Sequence, residues 1–201
     1  MTTLSSQSIQ IRTFLYTDLE GSTRLWGQFP DSIEAAIARH DEILRHAVEK
    51  CAGSIFRVVG DGICAVFVNA SQALEAALQA QIALKAEPWG EIGSLNVRMA
   101  IHTGEVEAYG NDFIGSSLNR IGRLLAAAYG GQTLVSQATR LLVQDSLPPK
   151  TSLLDLGEVR LRDLTSSEHV YQLVHPELQS ESLLWCPLIK YLTIFLFSLL
   201  H

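Results

Sequence analysis

The chain has 201 residues and a formal charge of −6, from 15 Lys and Arg against 21 Asp and Glu. Its length suits one domain of ordinary size with a short remainder, and 47% hydrophobic against 18% charged residues excludes a disordered chain. The acidic balance, with no long basic run, excludes a binder of duplex nucleic acid, and three cysteines without a CxxC pair point away from a disulfide framework or structural zinc site and toward a reducing compartment.

Met1–Gln10 is polar and lacks the apolar core of a secretory signal, so a cytoplasmic location is expected. Ile9–Thr17, a β-branched and aromatic run, predicts the first strand, which ends at the polar turn Asp18-Leu19-Glu20-Gly21-Ser22-Thr23. Arg24-Leu25-Trp26 is a short helical start. From Asp31, a plausible N-cap, to Lys50, the residues Ile33, Ile37, Leu44 and Val48 recur at helical spacing. Ser54–Val59 and Ile63–Val68 flank Gly60-Asp61-Gly62 and predict a tight hairpin.

A second helix over Ser71–Ala86 is stopped by Pro88 and Gly90. A strand over Leu95–His102 is expected to turn at Thr103-Gly104 and return through Glu105–Ala108. Ser116–Tyr129 predicts a third helix, Thr133–Ser136 a short strand, Ala138–Val143 a short helix, and Leu153–Leu161 and His169–Val174 two late strands. The fold class is therefore α+β: a ferredoxin-like βαββαβ antiparallel sandwich with extra C-terminal strands. The divisions expected are an N-terminal segment 1–10, a domain over 11–176, a linker 177–182 and an apolar tail 183–200.

That topology makes a chemical prediction. The C-terminal end of the first strand and the tip of the hairpin fall at the same end of the sheet on neighbouring strands, so Asp18 and Asp61, 43 positions apart, become neighbours. Two such carboxylates raise a pKa or bind a hard cation such as Mg²⁺ or Mn²⁺. Read singly, Gly60-Asp61-Gly62 is also an ordinary turn and Asp18 also a helix cap. The small residues Gly21, Ser22 and Thr23 offer backbone N–H groups to a phosphate, or simply begin a helix. On the third helix Asn119 and Arg123 are spaced i, i+4 and share a face, either to orient a sugar oxygen and a reacting phosphate or as a solvated surface. His40 and His46 do not share a helix face, His102 reads as a satisfied core residue, Cys51 and Cys64 as small core hydrophobes, and Trp26 and Trp89 as packing groups.

Thr13–Thr23, Val59-Gly60-Asp61-Gly62 and Asp112-Phe113-Ile114-Gly115 with Asn119 and Arg123 together resemble the catalytic domain of the class III nucleotidyl cyclases, bacterial type. The similarity runs over roughly 11–175 with all three motifs in order. It implies an active site at the interface of a head-to-tail dimer. Asp18 and Asp61, with the Leu19 carbonyl, would hold two Mg²⁺ or Mn²⁺ ions. Asn119 and Arg123 would position the ribose and stabilise the transition state. Asp112 and Arg57, which stands where adenylyl cyclases usually carry lysine, would read the purine, and Arg162 would meet a phosphate. An ionised Asp112 accepts from adenine N6 and a cationic Arg57 donates to N1, whereas guanine wants an acceptor at position 57, so ATP is the expected substrate. The opposite charges of Arg57 and Asp112 can also pair with each other, and a nucleotide-sensing or dimerisation module without turnover is the alternative function.

Leu183–Leu200 holds 7 Leu, 2 Ile and 2 Phe. These contribute about −5 kcal/mol toward membrane insertion, against about +3 for Lys190, with Pro187 and the polar residues cancelling much of the remainder. A C-terminal membrane anchor and a segment packed on the domain or its partner are both open.

Overall fold

Alternation along β1 (Ile9–Leu19) decides how everything else packs. In the computed structural model, which describes residues 9–163 and 166–178, Leu15 and Leu19 join the core on one face of the sheet, and Phe14 and Tyr16 the core on the other. A short helix α1 (Ser22–Gln28), the long helix α2 (Ile33–Lys50) and a hairpin of β2 (Ser54–Val59) and β3 (Gly62–Phe67) follow. Then come α3 (Ala70–Ala86), β4 (Val97–Tyr109), β5 (Asp112–Ile114), α4 (Ser116–Ala127) and β6 (Thr133–Ser136). The described part closes with α5 (Gln137–Val143), β7 (Ser152–Val159) and β8 (Glu168–Val174).

The strands lie in the order β2-β3-β1-β4-β6-β8-β7, with β5 paired to β4, and every pair is antiparallel except β4 with β6. The first four strands make the expected ferredoxin-like arrangement, and β6 to β8 are the extra C-terminal strands. Helices α2 and α3 cover one face, burying Ile33, Leu44 and Leu74 against Leu15, Met99 and Ile101. Helix α4 covers the other, setting Ile121 and Leu124 against Phe14, Ala100 and Leu134. All three helices are held by burial of their apolar residues, the main source of helix stability in a folded chain. Helix α3 stops at Ala86 because Glu87 precedes Pro88 and takes an extended conformation (φ −69°, ψ 131°).

Three local expectations are corrected. Thr103-Gly104 is not a turn: β4 runs straight through it, because β1 offers an unbroken eleven-residue ladder from Ile9 opposite Glu107 to Leu19 opposite Val97. Gly104 is there for close approach, since a Cβ would lie 2.3 Å from Ser117 Oγ on α4; the chain reverses later, at Gly110 with φ +59°. The N-cap of α2 is Ser32 rather than Asp31, and its side chain makes no cap bond. Trp26 is 48% exposed rather than packed, whereas Trp89 is buried and donates its indole N–H to Leu84 O at 2.9 Å.

A chain of buried polar groups ties the strands together. Thr13 of β1 bonds Thr103 of β4 (2.9 Å), Thr103 bonds Thr139 of α5 (3.0 Å), Thr139 bonds Ser136 of β6 (3.3 Å), and Ser136 bonds His102 Nδ1 (2.8 Å). His102 is thus the satisfied core histidine the sequence suggested. Cys51 and Cys64 are buried and unpaired. The tail 183–200 and Cys186 lie outside the described residues, among which no helix is long and apolar enough to cross a membrane.

Candidate active site

Pairing of β1 with β3 sets Tyr16 opposite Cys64, and the Ile63 N–H donates to Thr17 Oγ1 at 3.0 Å. Val59 pairs with Gly62, so Gly60 and Asp61 form a two-residue hairpin tip, with Gly60 at φ +60°. Gly62 lies so close to β1 that a Cβ on it would be 2.1 Å from Thr17 O and 3.4 Å from Asp18 Cα. Asp61 therefore stands at the end of the sheet where β1 delivers Asp18.

The two carboxylates differ in what they touch. Asp61 is partly buried and its Oδ2 is fully buried with no hydrogen-bond partner among the described residues. An ionised oxygen left that way is costly unless a cation meets it. Asp18 faces Arg98 across the β1–β4 ladder; Arg98 Nε donates to Oδ2 at 2.7 Å and Nη2 lies 2.6 Å from the same oxygen. Oδ1 of Asp18 has no bond among the described residues. The donor set, two hard carboxylates with one buried oxygen unmatched, fits a small divalent cation. Among the described residues no group of three or more His, Cys, Asp or Glu side chains is arranged for a metal, so any further ligand at this end would be a backbone, substrate or water oxygen.

Beyond Asp18, Leu19 is buried and pairs with Val97, and the Glu20 N–H donates to Asn96 O at 3.0 Å. Gly21 adopts φ +72° and caps α1, its carbonyl accepting from the Arg24 and Leu25 N–H groups at 2.9 and 3.2 Å. Ser22 and Thr23 open the helix, where first-turn N–H groups lack intrahelical acceptors.

Arg57 on β2 and Asp112 on β5 are bonded to each other, guanidinium Nη2 to carboxylate Oδ2. Asp112 Oδ1 also accepts the Phe113 N–H at 2.7 Å. The Arg57 guanidinium holds the Asp112 carboxyl below its ordinary range. Beside the pair, Phe56 meets Phe113 edge-on at 5.2 Å and Phe14 at 5.9 Å. Burial pushes the neighbouring Tyr16 phenol and Cys64 thiol up.

Asn119 and Arg123 are exposed on α4 while Ile121 and Leu124 anchor its other side. Arg123 Nη2 lies 2.9 Å from Asp163 Oδ2, and Arg162 Nε lies 3.8 Å from the same oxygen, so the turn after β7 gathers two arginines around one carboxylate. Arg120 is instead tied to the buried Glu168 of β8. Burial, with Arg120 nearby, lowers His102 to about 4. His40 is buried on α2 with Nδ1 2.9 Å from Asp41 Oδ1, whereas His46 is exposed; they do not form a joint site. A cleft of about 410 Å³, lined by Gln81, Trp89, Asn96, Gly130, Gln132 and His175 among others, contains none of the metal-, phosphate- or nucleotide-binding candidates from the sequence.

Sequence reasoning did not single out Arg98 or Asp163. Arg98 could have been found by extending the β1–β4 ladder two residues past Tyr16; Asp163 carried no signal beyond its place after Arg162.

No protein-family model matches the chain. An uncharacterised protein of Mycobacterium tuberculosis is 36% identical over 171 residues, covering 84% of this chain and 58% of that protein, so the chain spans little more than half the length of that relative. A second from the same organism is 30% identical over 174 residues, covering 84% and 67%. A receptor-type adenylate cyclase of Trypanosoma congolense is 26% identical over 203 residues, covering 80% of this chain and 27% of that one. The crystal structure of an adenylate/guanylate cyclase/hydrolase from Silicibacter pomeroyi superposes with a TM-score of 0.73 at 25% identity, covering 84% and 99%. The sheet order and helix placement define a nucleotidyl cyclase fold. The structural neighbours are class III adenylyl and guanylyl cyclase catalytic domains, and the chain shares their fold.

Proposed function

We propose that residues 11–176 are an adenylyl cyclase catalytic domain that converts ATP into 3′,5′-cyclic AMP and pyrophosphate at the interface of a head-to-tail homodimer. The observation that carries this reading is the buried, unmatched Oδ2 of Asp61 beside an Asp18 already oriented by Arg98. Asp18, Asp61 and the Leu19 carbonyl would hold two Mg²⁺ or Mn²⁺ ions, which supply charge neutralisation of the triphosphate and acidification of the ribose hydroxyl. In the reaction the ribose 3′-oxygen bonds to the α-phosphorus, the bond to the β-phosphate oxygen breaks and pyrophosphate leaves.

The protein's own groups divide the remaining work. Arg98 fixes the Asp18 carboxylate through one oxygen, which leaves the other free to act. Asn119 orients the ribose, and Arg123 donates to the phosphate as charge develops there. Arg162 and the N–H groups at Gly21, Ser22 and Thr23 receive the remaining phosphate oxygens. Arg57 donates to adenine N1 and Asp112 accepts from N6 once the nucleotide has parted them. The exposure of Asn119 and Arg123 suits groups that act on a substrate held by a second copy of the chain.

Purified protein incubated with ATP or GTP and either metal is expected to yield cyclic AMP from ATP, and Asp61→Ala to lower that rate by at least about a hundredfold through loss of the metal clamp. Cyclic product persisting in Asp61→Ala would refute the metal assignment. One observation favours a second reading, a nucleotide sensor without turnover: Arg57 and Asp112 spend their charges on each other. Saturable ATP binding with no cyclic product would decide for it.

A further inference from the structure

Asp163 stands on the turn after β7 at φ +60°, in the left-handed region that aspartate and asparagine, with their short polar side chains, enter more readily than other non-glycine residues. The turn is clasped at its neck. His169 Nε2 lies 2.6 Å from Asp155 Oδ1, which also accepts the Gly157 N–H at 2.7 Å, and His169 Nδ1 lies 3.4 Å from Glu158 Oε1. Beyond this neck the chain presents the Asp163 carboxylate 2.9 Å from Arg123 Nη2, between Arg123 and Arg162. The Arg123–Asp163 pair is exposed on both sides, 43% and 59%, so it adds little to stability.

We propose that Asp163 is a positioning residue for Arg123, an inference that rests on the cyclase reading above. Arginine carries a long flexible stem, and a guanidinium held in place before substrate arrives does not have to be ordered during the reaction. The carboxylate also keeps Arg123 and Arg162, like charges on one small surface, from repelling each other. Asp163 touches neither substrate nor reacting atoms; it acts through Arg123.

The test compares Asp163→Gly and Asp163→Asn with the unsubstituted protein, measuring kcat and KM for ATP with Mn²⁺ together with the melting temperature. Glycine and asparagine both tolerate φ +60°, so each variant removes the charge while suiting the backbone. Both are expected to hold or raise the melting temperature, lower kcat by about five- to tenfold and leave KM within about twofold. A kcat within twofold of the unsubstituted protein in both variants overturns the inference, as does a loss of kcat that follows a falling melting temperature. Absence of cyclic product from the unsubstituted protein overturns instead the cyclase reading beneath it.

Discussion

Gly62→Ala tests whether the contact between β1 and β3 sets the separation of the two aspartates. A Cβ at position 62 would stand 2.1 Å from Thr17 O, a backbone atom that no rotamer change can move. Ordinary contact begins about 1.3 Å further out, so the hairpin has to lift from β1 by roughly that distance. Overpacking of this kind costs about 1–3 kcal/mol. For a chain of this size that corresponds to a fall in melting temperature of about 2–12 °C. The hairpin tip carries Asp61, and a misplacement of about 1 Å at a reacting centre costs on the order of a hundredfold in rate. Differential scanning fluorimetry and a cyclic-nucleotide assay on the same preparation check both parts. A variant that melts within about 1 °C of the parent and keeps its rate within about twofold refutes the reasoning, because both effects follow from one displacement.

Two further outcomes are expected. His102, lowered to about 4 by burial, is neutral in the fold, while an unfolded chain protonates it near 6.5; its contribution is therefore full above about pH 6.5 and is lost as pH falls toward 4. Urea melts at pH 7 and pH 4.5 should show the parent losing about 2–3 kcal/mol more than His102→Asn, and equal losses would contradict this. Arg57→Lys removes the planar fork that grips Asp112, and an exposed pair of this kind is worth about 0.2–1 kcal/mol, so KM for ATP should fall by up to about fivefold; an unchanged or higher KM would show that the pair does not compete with the base.

Much of the fold was legible because period and punctuation agreed. Alternation in Ile9–Leu19, the helical stripe of α2 and the Gly60-Asp61 tip each have one structural solution, and together they place Asp18 beside Asp61. The misread turn at Thr103-Gly104 shows where such reasoning stops. Glycine serves reversal and close approach alike, and only the position of Ser117 on α4 distinguishes them. Trp26 was misjudged because apolar character says nothing of whether a seven-residue helix turns its side chain to a core. The pairing of Arg57 with Asp112 was legible from their charges and shared role, whereas the fold-back of β5 along β4 that carries Asp112 was not, since three residues cannot announce it. Arg98 was recoverable from register; Asp163 was not, since its meeting with Arg123 is a contact between a loop and a helix with no periodic trace.

The buried run Thr13–Thr103–Thr139–Ser136–His102 has one more implication. Each hydroxyl has one hydrogen to give and two lone pairs to accept with, so the His102 tautomer bears on how the four links run. If the imidazole carries its hydrogen on Nε2, Ser136 has to donate to Nδ1 and every earlier link then donates toward His102; if on Nδ1, Ser136 accepts from the ring and the hydroxyl links are not held to one direction. The Nε2–H tautomer thus dictates the polarity of a seam spanning β1, β4, β6 and α5, and valine at position 103 would cut Thr13 off from that control.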